Sequence, residues 1–210
     1  MSRKAVTVAF VIASLVSIRV WAGPLPSISQ SERARLRRWK VVTRVDKSTK
    51  FWRPTAFVLF AVSPKQVMSV VKNISSYDEY MPKVAKSTVV RRKGRTKAWA
   101  VIVTNLPWPM RDAWVAVKYA WSSLGQGAYR LDWMRERGSM RKYWGRLDLY
   151  PWGRYWTLAV CTMQAEPDAN VPLSLLNKKI VWGTKQLLLH LRARVDVMQR
   201  MHILRSWSPD

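Results

Sequence analysis

The sequence predicts an α+β domain, an antiparallel meander followed by one long C-terminal helix. Three observations predict it. Strand-length segments follow one another from Lys86 to Gln164, separated by short breaks with turn chemistry. A single apolar stripe then runs from Leu173 to Met198 at a spacing of three to four residues, the mark of a long helix with one buried face. Ahead of the meander, an apolar run of strand length is followed by two short helical stretches.

The elements follow in order. Arg3 and Lys4 give a basic start, Ala5 to Ile18 is apolar, and Val20-Trp21-Ala22 places small or modest residues before Gly23. This is the pattern of a signal peptide over residues 1–22, because the apolar run is too short to cross a bilayer. It predicts a protein exported to the periplasm or secreted, in a bacterial setting. Residues 23–38 read as a basic linker: Pro24 to Ser29 is an exposed stretch, and Ser31 to Arg38 forms a helical turn or two with Ser31 as its N-cap. Residues 39–203 are expected to form the folded domain and 204–210 a loose tail.

Within that domain, Lys40–Val45 is β-branched and reads as a strand, and Asp46–Lys50 as a polar turn. Thr55–Val62 is apolar throughout, as a strand buried on both faces would be. Ser63 and Pro64 form a helix start, with serine as N-cap and proline at the first helical position. Val67, Met68, Val70 and Val71 continue at helical spacing, and Ser75–Met81 forms a second short helix stopped by Pro82. The meander strands are Lys86–Arg92, Thr96–Thr104, Ala113–Trp121, Ala128–Glu136, Met140–Leu149 and Tyr155–Gln164. Tyr129, Leu131 and Trp133 alternate with Arg130 and Asp132, so that strand has one dry face and one wet face. Asp132 and Asp148 are expected to point to water. Pro172 opens the last helix, with Lys178, Lys179, Lys185, Arg192 and Arg194 off its apolar stripe.

Charge sets the class of partner. The 210 residues hold 37 lysines and arginines against 12 acidic residues, a net charge of +25. A balance this basic favours an anionic partner. For an exported protein that partner is an anionic membrane surface rather than nucleic acid. The 13 tryptophans, several beside basic residues, suit a lipid–water interface, where an apolar ring and a polar N–H are both served. The one cysteine, Cys161, lies in an apolar run and reads as a buried thiol, so a disulfide framework and a multi-cysteine metal site are both excluded. No nucleotide loop, metal-ligand cluster or Ser/His/Asp set is evident, and no cofactor is expected.

Three stretches carry a family resemblance. Ser63-Pro64-Lys-Gln-Val67 followed by Tyr77-Asp-Glu-Tyr-Met-Pro82 resembles the first-helix signature of START-like lipid-transfer proteins and their bacterial polyketide-cyclase-like relatives. Leu106-Pro-Trp-Pro-Met-Arg-Asp112 is similar to the family's Pro-x-Pro-x-x-Asp-Arg segment, and Glu166 to Pro172 resembles its entry into the last helix. The chain departs from the pattern at Ala113, where the family commonly has arginine, and at Ala169, where it commonly has glycine. The resemblance covers Trp39 to Met198. It implies the helix-grip (SRPBCC) fold, a curved antiparallel sheet wrapped around the long C-terminal helix. It also implies an internal cavity for a lipid, sterol or polyketide-like ligand.

Inward strand positions and the helix stripe then supply the candidate ligand-binding residues: Trp99, Tyr119, Trp133, Leu176, Ile180, Thr184 and Leu187. Trp108 and Arg111 join them from the proline-rich segment, where an arginine fork suits an anionic ligand head. The expected protein is a monomeric carrier, not an enzyme. Two other readings stay open: a cyclase or aromatase of the same fold, for which His190 is a candidate acid or base on the surface of the helix, and an interaction module with a filled core.

Overall fold

A computed structural model of the protein describes residues 25–105, 112–167 and 172–201. Eight strands form one antiparallel sheet: β1 (Val42–Asp46), β2 (Arg53–Phe60), β3 (Val84–Lys93), β4 (Lys97–Thr104), β5 (Ala113–Gly125), β6 (Ala128–Gly138), β7 (Met140–Trp152) and β8 (Trp156–Pro167). Their spatial order is β1-β2-β8-β7-β6-β5-β4-β3. The six meander strands lie in chain order, and β2 closes onto the last of them. The helices are α1 (Gln30–Arg37), α2 (Pro64–Lys72), α3 (Tyr77–Tyr80) and α4 (Leu173–Arg200), with a 3-10 turn at Ile74–Ser76 before α3. This is the helix-grip arrangement: a curved sheet, short helices after β2, and α4 lying along it.

Local chemistry explains these elements. Ser63 caps α2 through a reciprocal box with Gln66, and Pro64 occupies the first turn. Tight turns use residues that tolerate positive φ, among them Gly94 between β3 and β4 and Gly127 between β5 and β6. The α4 stripe is buried at Asn177, Ile180, Thr184, Leu188, Leu191 and Val195. It differs from the expected stripe at three points: Asn177 and Leu188 replace Leu176 and Leu187 as the covered positions, and Leu173 is exposed.

Two cores result, one on each face. The larger lies on the concave face, where Ala56, Val58 and Phe60 of β2, Leu147 and Leu149 of β7, and Ala159 and Cys161 of β8 meet α2 and the Leu188–Val195 part of α4. Cys161 is a buried free thiol, as expected from its apolar run. The second core lies on the convex face and joins Leu36 of α1 to Phe57, Leu59, Tyr150 and Leu158.

That second core revises the reading of residues 23–38. Part of this segment is a folded helix, capped by Ser29 rather than Ser31, with Ser29 and Glu32 forming a reciprocal box. Leu36 is completely buried. Glu32 also receives two hydrogen bonds from Arg44 of β1, at 2.8 and 2.6 Å. The Arg44 guanidinium, with the Ser29 backbone N–H, holds the Glu32 carboxyl down to about 2 from its ordinary 4.5. A lowered carboxylate pKa stabilises the fold above the unfolded value and loses that contribution as pH falls through the folded one. The expected result is an acid-dependent loss of stability between about pH 4.5 and pH 2 that Glu32→Gln removes, measured by chemical denaturation across that range.

Asp132 pairs with Arg146 at 2.7 Å near the surface, but Asp148 departs from expectation. It is buried, held bidentately by Arg130 at 2.6 and 2.9 Å and donated to by the Tyr150 hydroxyl. Its strand lies beneath the second core, so its alternation with apolar neighbours marks a covered convex face rather than water.

Candidate functional site

Strand register builds the inner wall. Ala98, Tyr119, Trp133, Gly145 and Met163 face one another across β4 to β8, forming a transverse row on the concave face. Glycine has a specific job in this row. A Cβ at Gly145 would lie 2.1 Å from the Trp133 ring, so the indole can lie flat over β7 only because position 145 has no side chain.

Above this row sit the tyrosines. Tyr77 and Tyr80 of α3 meet edge to face at 5.9 Å, and Tyr77 meets Tyr119 at 6.3 Å. Tyr143 of β7 packs against the same core. The Tyr77 hydroxyl donates to the Val71 carbonyl at 2.6 Å. The Tyr80 hydroxyl and the Trp133 indole N–H are buried and have no partner. The Trp133 N–H is directed at the Tyr143 phenol without reaching hydrogen-bond geometry.

Burial governs the electrostatics of this interior. It pushes the Tyr77, Tyr80 and Tyr119 phenols well above their usual range, and the Tyr143 phenol and Cys161 thiol each up to about 12. The phenols also lie near enough to one another that each ionisation would disfavour the next. At neutral pH these groups are uncharged.

The residues expected at the site divide as follows. Tyr119, Trp133, Ile180 and Thr184 are buried in the interior, and Leu187 packs against its edge. Thr184 donates back to the Ile180 carbonyl at 2.9 Å, which satisfies its hydroxyl within the helix. Leu176 is only half-buried, because the covered position on that turn is Asn177. Trp99 is a correction: it lies on the convex face. Its N–H donates to Glu136 at 2.6 Å, and Arg91 and Lys118 lie over its ring at 4.9 and 5.8 Å. Ala98 and Ala100 are the inward residues of β4. Trp108 and Arg111 lie outside the described residues. His190 is exposed on α4, with Nδ1 2.8 Å from the Tyr80 carbonyl oxygen.

Several residues of the interior were not anticipated as site residues. Tyr77 and Tyr80 were visible as a motif, and Tyr143 as a strand aromatic, but nothing local places their hydroxyls together. Arg135 was also missed. It stands opposite Val117, hence on the concave face, next to a bulge in β6, and donates to the Gly138 carbonyl at 3.1 Å. A separate cleft of about 460 Å³ lies on the convex face, lined by Lys50, Arg53, Lys142, Gln164 and Glu166 among others. Among the described residues, no group of three acidic, histidine or cysteine side chains is placed to hold a metal.

Asn177 ties the start of α4 to the sheet. Its side-chain N–H₂ donates to the Lys50 carbonyl at 3.1 Å, and its oxygen accepts from the Trp52 N–H at 3.0 Å. Asn177→Ala should cost about 1–2 kcal/mol, since it strands a backbone N–H and a carbonyl. Faster amide exchange at Trp52 and in the first turns of α4, with the centre of β7 unchanged, would check the latch.

Comparison with known proteins fits this geometry. Residues 60–161 match the family model for polyketide cyclase / dehydrase and lipid transport. A STAR-related lipid transfer protein from Xanthomonas axonopodis superposes with a TM-score of 0.66 at 19% identity, over 75% of this chain and 93% of that one. The family model and the fold together support placing the chain with the START-like, polyketide-cyclase-like helix-grip superfamily. Human STARD10, at a TM-score of 0.67 and 10% identity over 79% of this chain and 73% of its own, has the same START-like fold. So does a START superfamily protein from Mycobacterium smegmatis, at 0.58 and 17% over 70% and 98%. No curated protein matches the chain by sequence.

Proposed function

We propose that this protein is an exported carrier that binds a hydrophobic ligand, a lipid or sterol-like molecule, between the concave sheet and α4, and transfers or presents it at an anionic membrane. The observation that carries this reading is the character of the concave interior. It is mostly apolar, with uncharged phenols and the Arg135 guanidinium as its polar groups, which is the composition of a site for an apolar body with a small polar end. Each ligand CH₂ taken out of water would contribute about 0.8 kcal/mol.

The same chemistry favours a carrier over a cyclase. Acid–base catalysis works best with a group titrating near the working pH, and the interior phenols and thiol titrate far above neutrality. The outer face of α4 supports the membrane part. Leu173, Leu175 and Trp182 are exposed there among Lys178 and Lys179, and Lys83 lies 5.8 Å from the Trp182 ring. Exposed tryptophan and leucine set among lysines suit an anionic lipid–water interface. The signal-peptide pattern of residues 1–22 supports export.

Native mass spectrometry of the protein purified from its source, followed by organic extraction and lipid analysis, tests the reading. A lipid held near one-to-one supports the carrier and identifies the ligand class. A ligand-free protein that also takes up nothing from a panel of lipids and sterols refutes it.

A further inference from the structure

Helix α1 ends on an unexpected residue. The Trp39 N–H donates to the Leu36 carbonyl at 2.8 Å and the Lys40 N–H to the Arg35 carbonyl at 3.1 Å, the paired bonds of a Schellman ending. Such an ending puts its closing residue in the left-handed region, where glycine is usual. Here a tryptophan takes that place, at φ 59°. A bulky side chain in this region is a backbone outlier, and strain of this kind concentrates at functional positions.

The ring is not spent on packing the second core. Trp39 is 41% exposed and leans on Trp156 at 5.6 Å, which is itself 37% exposed. Tyr155, 65% exposed, follows in the turn between β7 and β8, with Arg154 5.3 Å from its ring. Trp39, Tyr155 and Trp156 therefore crown one hairpin tip, and Arg37, Arg38, Lys40 and Arg154, their exposed sequence neighbours, surround them with positive charge. The Arg192 guanidinium of α4 donates to the Trp39 carbonyl at 3.0 Å, and the nearby acid, Asp196, faces Arg192 and Arg200. Half-exposed aromatic rings among basic residues match the interface of an anionic bilayer. A second copy seated on the same patch would bring like charges together.

This tip lies away from Leu173, Leu175 and Trp182. Strand β8 runs from Trp156 to Pro167 before the chain reaches α4, and Arg192 lies ten residues beyond Trp182, about 15 Å along the helix. We infer that Trp39 and the β7–β8 hairpin tip form a second membrane-contact surface, whose rings seat in the interface of an anionic bilayer. This rests on the membrane part of the carrier reading and adds a contact at the other end of the grip.

Vesicle flotation tests it, with phosphatidylglycerol–phosphatidylcholine vesicles against phosphatidylcholine alone. The proteins are wild type, Trp39→Gly, Tyr155→Ser, Arg154→Gln and Trp182→Ala, all purified from the source with the same N-terminus, so that differences report on the substituted residue. Trp39→Gly should bind the anionic vesicles about tenfold more weakly, as withdrawal of a half-exposed indole implies. Arg154→Gln should bind about fivefold more weakly, the loss of one basic residue at an anionic surface. Trp39→Gly should also melt level with wild type or up to about 4 °C higher, because glycine relieves the left-handed backbone. A ring kept for packing would lose stability instead. Binding unchanged in Trp39→Gly and Tyr155→Ser overturns the inference, and a loss confined to Trp182→Ala leaves the membrane contact to α4 alone. Should Trp39→Gly melt lower, Tyr155→Ser and Arg154→Gln decide: their side chains are exposed, and unchanged binding in both overturns the inference. A concentration-dependent dimer, seen by sedimentation and abolished by Trp39→Gly, gives the patch to a second copy and also overturns it. No binding of wild type to anionic vesicles refutes the membrane part of the carrier reading and this inference together.

Discussion

Gly145→Ala should destabilise the protein by about 3 kcal/mol, at the upper end of ordinary overpacking costs, and lower its melting temperature by roughly 6–12 °C. The added methyl would stand 2.1 Å from Cζ2 and 2.5 Å from Cε2 of Trp133. These are atoms of a rigid bicyclic ring, not the free end of a flexible chain. Trp133 is hemmed in by Tyr119 on its other flank, so the ring cannot tilt away without pushing into that neighbour. The cost is therefore a local repacking of the concave wall, and ligand binding should fall with stability. Pairing the change with Trp133→Phe isolates the cause. The smaller ring leaves space that the alanine methyl enters, so the double variant should be at least about 1 kcal/mol more stable than the two single losses predict by addition. Additive losses would show that Gly145 matters for its backbone and not for the indole.

Gly145 also shows where sequence reading ends. Element order, strand limits and the span of α4 were legible to within a few residues, because turn chemistry and periodicity are local. The pairing of Gly145 with Trp133 depends on the register of β6 against β7, which no local pattern states. Strand β4 makes the same point. Its residues are apolar on both faces, so alternation could not say which set pointed inward. Size suggested Trp99, but the tightly lined concave face takes the small Ala98 and Ala100 opposite Tyr119 and Val117. The large ring turns outward, where Arg91 and Lys118 cover it with their stems and charges.

Helix α4 failed by one position at two points for a related reason. At 100° per residue, Leu176 and Asn177 flank the same line, as do Leu187 and Leu188. Residue type favours leucine at the buried site. The structure puts asparagine there because its partners, the Lys50 carbonyl and the Trp52 N–H, arrive from a loop more than a hundred residues earlier in the chain. The tyrosine hydroxyls are the extreme case. Tyr77 and Tyr80 come from α3, Tyr119 from β5 and Tyr143 from β7, and only the closed grip brings them together.

Leu36→Ala should cost about 2–4 kcal/mol, as truncation of a fully buried leucine does when its site cannot collapse. The residue looks dispensable in the sequence, since Arg and Lys surround it in a stretch that reads as a linker. In the structure its side chain has no exposed surface and packs on Phe57, Leu59 and Leu158 across the convex face of β2 and β8. Ile28 packs against the same cluster, Arg33 lies 5.4 Å from the Trp152 ring, and Arg44 joins β1 to Glu32. These contacts attach α1 at several points, so removing its one buried leucine should weaken the whole domain rather than release a tail. The measurement is chemical denaturation of Leu36→Ala beside the exposed control Arg37→Ala, for which a change within about 0.5 kcal/mol is expected. A single cooperative transition shifted by the larger amount would show that α1 folds with the sheet. A shift no larger than the control's would mean that residues 25–38 do not stabilise the grip. The second core bears on the concave wall through β2, which carries Phe57 and Leu59 on the convex side and Ala56, Val58 and Phe60 on the concave side. A strand anchored on both faces holds the concave wall in place against α4.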